Sequence, residues 1–399
     1  MNSLTATFEA RDFELSRDYT QIVLGMDQFY REKTNSGTEA SLDQEGLVPI
    51  NLTSETPNNY SSWEDIISHL EQLRQRYIII KDEVRRNYMQ QQIGSLITLA
   101  KWCSGIGMSF REKVRGLLYV NENPYVEAER KRLHDKLDSL LIQKGLKGPL
   151  TEKVRQWEES QSVTSNQIES VLKELLSQAK ERVIQYLFKE IEDVDVMPVV
   201  VKRVPYSAYC DYENGKMYIN GDLSYTYESL KHLVTHECFP GHTTHMRMRE
   251  MGFRSGDVPM DAALVITNTA SSSVFEGIGD NGIHFINWVD TLDDQIYLVY
   301  QLIRSISGMN AAHMIHEENK SDEEVSDFLR NFAFAKDNWI RSRMRFFKHS
   351  LRAPFIYSYW RGNEAVSEVF TRLNEKQKSF FYHFLYKNML SADTVKQFR

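Results

Sequence analysis

Cysteine is scarce: Cys103, Cys210 and Cys238 are the three in 399 residues, widely spaced and with no C-x-x-C among them. That excludes a disulfide framework and a thiolate zinc site, and it points to the cytoplasm. No apolar run is long enough to span a bilayer, and the start, Met1 to Asp12, lacks the charged-then-apolar order of a secretory signal. Long blocks of lysine or arginine are missing and the net charge is −7, which disfavours nucleic acid or a membrane as partner. No internal repeat stands out.

What is present is the composition of an ordinary globular protein, 41% hydrophobic and 26% charged, in a chain long enough to bury a large core. Helical spacing of apolar residues predominates. It predicts a mostly α fold, one large helical domain around a cleft, with helices over 3–32, from Ser61 to about Gly94, and over 93–119, 125–144 and 151–193. The last of these is interrupted near Ser162–Asn166. Residues 35–60, with Gly37, Gly46, Pro49 and Pro57, read as an extended loop that covers the cleft or lies on the surface. Further helices are expected over 225–250, 260–283, 285–318, 321–349 and 354–390. Residues 196–220 differ, being β-rich on both sides of Asn214-Gly215, which predicts a small antiparallel hairpin at about 197–220. The organisation follows: 1–60 an N-terminal helix and cover loop, 61–195 a helical region, and 196–399 the part carrying the chemistry, in one compact domain with 61–195.

That chemistry is concentrated in Leu233-Val234-Thr235-His236-Glu237-Cys238-Phe239-Pro240-Gly241-His242-Thr243-Thr244-His245. In the H-E-x-x-H pattern of zinc peptidases two histidines four apart share a helix face and the glutamate is the general base. Here the second histidine comes six residues on. An i+4 partner is offset by about 40° around a helix and an i+6 partner by about 240°, so His236 and His242 converge only if the helix breaks. Pro240 provides the break, since it cannot donate to the His236 carbonyl, and Gly241 allows the chain to restart. Two other pairings stay open. His232 and His236 are four apart on one face, and His242 and His245 are three apart after the break.

The His-Glu-x-x-Pro-Gly-His segment, with Tyr218-Ile219-Asn220 before it and Phe275-Glu276-Gly277 after it, resembles the bacterial family catalogued as domain of unknown function 885. His316 with Ser321-Asp322-Glu323-Glu324, and Tyr357-Ser358-Tyr359-Trp360-Arg361-Gly362, are similar to further family segments. The resemblance covers roughly residues 195–370. It departs from the family at Thr243, where a second histidine is common, at Ile278-Gly279 and at Trp360. What it implies is a gluzincin-like zinc metallopeptidase fold in which a glutamate on a later helix completes the metal site.

On that reading Zn2+ is held by His236, His242 and Glu276, and Asp280, one turn after Glu276, orients a ligand histidine through its other nitrogen. Glu237 is then the general base for water attacking the carbonyl of a peptide or small amide substrate. The resemblance further implies Tyr359 as the donor to the developing oxyanion. Arg361 or His316 is expected to contact substrate, as is Tyr357 on the same helix face as Arg361; Tyr359 is turned about 200° from that face, so not all of them should reach the cleft. Two competing functions remain: a family member that has lost hydrolysis and binds a peptide or small molecule, and a biosynthetic zinc enzyme acting on a non-peptide amide.

Overall fold

The computed structural model describes residues 8–34, 46–125, 127–204, 206–349 and 351–398, and helices built on the periodic stretches dominate them. Part of the expected first helix and of the loop at 35–60 lies outside the described residues. Within them no sheet exceeds three strands, so the mostly α class holds. No helix among the described residues is long and apolar enough to cross a membrane.

Two compact units are formed from separate stretches of chain: Met1–Glu122, His245–Gly277 and Arg361–Arg399 in one, Asn123–Thr244 and Ile278–Trp360 in the other. In the first unit the single helix expected beyond Ser61 is two, Trp63–Arg76 and Glu83–Cys103, separated by a 3-10 turn at Tyr77–Ile79. The break carries no glycine or proline. It is made instead by Asp82, whose side chain accepts from Arg85 N and starts the second helix. Arg85 is itself buried and bidentate on Asp261 at 2.6 and 2.7 Å, and Ser16 donates to the same carboxylate at 2.6 Å. A charge with those partners is tolerated in the interior; removing one of them strands the other. Asp261 lies in a 3-10 turn, Met260–Ala263, and Leu264–Val265 pairs antiparallel with Ile50–Asn51, so the helix expected from 260 begins only at Ala270.

In the second unit the predicted interruption near 162–166 is present: helices Leu150–Ser160 and Ile168–Tyr186 flank a short strand, Ser162–Val163, which pairs with Tyr225–Thr226. The hairpin joins Ala208–Asp211 to Lys216–Asn220 through a turn in which Gly215 takes φ +61. Met197–Val201 adds to the far side of Lys216–Asn220 in parallel, a crossover that alternation along the sequence could not reveal. The span 321–349 likewise divides, into Asp322–Phe332 and Asp337–Lys348. Leu172, Leu175, Ala179 and Val183 from one helix, Met217 and Ile219 from the sheet, and Leu230, Val234 and Phe239 form one buried cluster. Fully burying each aliphatic side chain contributes roughly 1.5–3 kcal/mol. The cluster seats the Tyr227–Glu237 helix. A buried Lys231–Asp294 pair at 2.9 Å, with Lys231 Nζ 4.7 Å from the centre of the Trp288 ring, fastens that helix to Leu292–His316.

Candidate metal centre

The Tyr227–Glu237 helix starts at Thr226, which exchanges hydrogen bonds with Ser229 in a capping box, and ends at Glu237. A second helix, His242–Ser255, begins five residues later. Between them the Phe239–Pro240 peptide is cis. The carbonyls freed by the break are claimed locally: Thr243 Oγ1 donates to Glu237 O at 3.2 Å, and Thr244 N and Oγ1 donate to Cys238 O at 3.1 and 3.2 Å. Gly241 N reaches back to Thr235 O at 2.9 Å. A β-carbon at Gly241 would lie 1.7 Å from the His236 carbonyl oxygen, so only glycine fits there.

The fold thereby sets the His236 and His242 rings 4.7 Å apart with their planes at 80°. Glu276 comes from the unbroken helix Ala270–Phe285, one turn before Asp280. Ligand atoms of His236, His242 and Glu276 all lie within 4.8 Å of one another, and all three residues are buried. Asp280 Oδ1 is 3.0 Å from His236 Nδ1 and 3.5 Å from His232 Nε2. Burial alone would raise the Asp280 carboxyl. The hydrogen bonds from His232 and His236 outweigh it and hold the group well below the usual carboxylate range. Gly279 makes room for this contact, since a β-carbon there would come 2.7 Å from His236 Nδ1.

Two imidazoles and one carboxylate are the donor set of a catalytic zinc site, which keeps a position for water or substrate. The residues fit the ion. With Nδ1 of His236 turned to Asp280, Nε2 would be the nitrogen left for a metal, since an ionised carboxylate favours a proton on Nδ1. The other trio of donors, His232, His236 and Asp280, also falls within 4.8 Å. In it the carboxylate oxygen is the one that already meets His236 Nδ1.

His245 joins neither trio among the described residues. It is buried against Phe275 and Tyr386, ring centres 5.4 and 5.6 Å away, and both its ring nitrogens lack hydrogen-bond partners there. Burial, then the charge of Arg249, push its pKa well below the ordinary histidine value. The folded protein therefore holds His245 neutral while the unfolded chain takes up a proton below about pH 6.5, so stability falls as the pH drops through that value. Between pH 6 and 5 the wild type is expected to lose up to about 1.4 kcal/mol more than His245→Asn. Urea unfolding at the two pH values measures this, and equal losses in the two proteins would contradict it.

Tyr359, half-buried on the Ile356–Phe370 helix, has its ring 6.5 Å from that of His236. Tyr357 is fully buried on the same helix. Arg361 donates Nε to Asn121 O at 3.0 Å and Nη1 to Glu364 at 2.9 Å, and His316 Nε2 is 2.7 Å from Phe347 O. These groups are thus engaged within the chain. Sequence reasoning gave no part to Gly279 or Thr243 beyond departures from a pattern. Their work is steric and main-chain, and the signal available was their adjacency to Asp280 and His242.

No family model and no curated protein matches the chain. Solved structures do resemble it. A candidate lipoprotein from Colwellia psychrerythraea aligns over 99% of this chain and 76% of its own length, with a TM-score of 0.54 at 10% identity. A candidate lipoprotein of unknown function from Shewanella oneidensis aligns over 96% and 72%, with a TM-score of 0.53 at 13% identity. At such identities the likeness is one of fold alone.

Proposed function

We propose that the protein is a zinc-dependent hydrolase of peptide or other amide bonds, related to the domain of unknown function 885 family. The observation that carries this reading is the convergence of His236, His242 and Glu276, with Asp280 on the far nitrogen of His236. When bound, zinc supplies a Lewis acid and a water acidic enough to lose a proton near neutral pH. Glu237, next in the chain to His236 and 9% exposed, accepts the proton of the attacking water and releases it to the amine nitrogen as the C–N bond breaks. Tyr359 donates its hydroxyl to the carbonyl oxygen as negative charge builds there. Of the Tyr357–Gly362 segment, Tyr359 alone receives a chemical part, because its ring borders that of His236.

The test is metal content followed by turnover. The purified full chain, exposed to zinc and freed of excess, is expected to retain one ion per chain and to cleave members of a mixed peptide library in a chelator-sensitive way. A chain without stoichiometric metal would end the hydrolase reading. Full metal without peptide cleavage, but with cleavage of non-peptide amides, would move the substrate to that class.

A further inference from the structure

We infer that His232 is a positioning residue for the metal centre, acting on His236 through Asp280. The inference rests on the metal-binding reading above and gives a part to a residue which that reading leaves idle. His232 and His236 are four apart on the Tyr227–Glu237 helix and so share a face. Both meet one carboxylate oxygen, Asp280 Oδ1, at 3.5 Å from His232 Nε2 and 3.0 Å from His236 Nδ1. The two imidazoles are 5.8 Å apart, centre to centre, with the carboxylate common to both.

His232 has little else to do. It is 3% exposed, its Nδ1 has no hydrogen-bond partner among the described residues, and its ring packs 5.6 Å from that of Tyr297. Burying an imidazole with one nitrogen unsatisfied is costly, and an apolar side chain would fill the same space without that cost. What the imidazole adds is a second ring nitrogen, Nε2, 3.5 Å from Oδ1 and able to present an N–H to it. Two donors converging on one oxygen fix the rotation of the Asp280 carboxylate, so that this oxygen faces His236. That in turn keeps the proton of His236 on Nδ1 and the lone pair on Nε2, the form in which a histidine binds a metal.

The experiment compares the full chain with His232→Phe, which removes the donor and keeps the bulk; His232→Gln, which keeps an N–H; Asp280→Ala; and the double variant His232→Phe with Asp280→Ala. Zinc affinity is measured by competition with a chromophoric chelator, and the His236 tautomer by 15N NMR of the zinc-free chain at constant pH. Asp280→Ala is expected to weaken zinc by ~10- to 100-fold and His232→Phe by about tenfold, while His232→Gln stays within about threefold of wild type. Because His232 acts through Asp280, adding His232→Phe to Asp280→Ala is expected to cost nothing more. In the zinc-free chain His232→Phe shifts His236 away from the Nδ1–H tautomer and His232→Gln restores it. Costs that add in the double variant, or an unchanged His236 tautomer in His232→Phe, would overturn the inference. A wild-type chain that takes up no zinc would sink the metal-centre reading instead, and the tautomer comparison would still decide for or against His232.

Discussion

Glu237→Gln is expected to leave zinc content near that of the wild type and to lower turnover by at least ~10²-fold, about 2.7 kcal/mol of barrier. The change swaps one carboxylate oxygen for an amide nitrogen, preserving shape and volume while removing the proton acceptor. The main chain at that position is held independently of the side chain, by Thr243 Oγ1 on Glu237 O. The helix end and the His236 ring should therefore stay where they are. Alanine at His236, His242 or Glu276 takes away a donor and is expected to cost metal occupancy instead. Measuring metal and kcat on the same preparations separates the two kinds of loss. Full activity in Glu237→Gln, with the histidine variants inactive, would mean that another group takes the proton.

Periodicity and punctuation in the sequence were enough for the helical class, the interruption near Ser162–Asn166 and the turn at Asn214-Gly215, because those features are set by neighbouring residues. The breaks at Tyr77–Ile79 and between Asp322–Phe332 and Asp337–Lys348 were not legible. At the first, Asp82 caps the new helix while buried Arg85 reaches Asp261, a partner 176 positions away. Residues 199–201 read as β-rich, but the parallel pairing of Met197–Val201 was not legible for a like reason, since its partner is chosen across a crossover.

The metal centre shows the same division. The six-residue spacing of His236 and His242 demanded a broken helix, and Pro240-Gly241 showed where it breaks. Which hydroxyls would take up the freed carbonyls depended on Thr243 and Thr244 facing back across the turn. Ion-pair and main-chain partners for Arg361 and His316 likewise appear only once distant segments meet. The Arg361-Gly362 end of the Tyr-rich motif turns out to be a packing device: a β-carbon on Gly362 would lie 1.9 Å from Ser273 O, and one on Gly277 2.3 Å from Gly362 O. Two helices touch there backbone to backbone. The motif thus contains a steric half and, at Tyr359, a candidate chemical one.

Tyr359→Phe is expected to lower kcat by roughly 10²–10³-fold with zinc content and fold unchanged. Attack on a carbonyl places negative charge on its oxygen, and a donor close to the metal stabilises that charge more in the transition state than in the bound substrate. Its loss therefore appears in kcat and much less in KM. Two contacts hold the ring regardless of its hydroxyl: the His236 imidazole, 6.5 Å away at 36°, and Phe355, 5.7 Å away at 82°. Phenylalanine keeps both, so the ring should not move and the deleted oxygen is the one variable. Tyr357 is the matched control. It lies two residues earlier, about 200° around the helix, and is fully buried, so Tyr357→Phe should alter stability more than kcat. Equal falls in kcat for the two variants would point to a shared effect on packing, and an unaltered kcat in Tyr359→Phe would leave Tyr359 a packing residue beside His236.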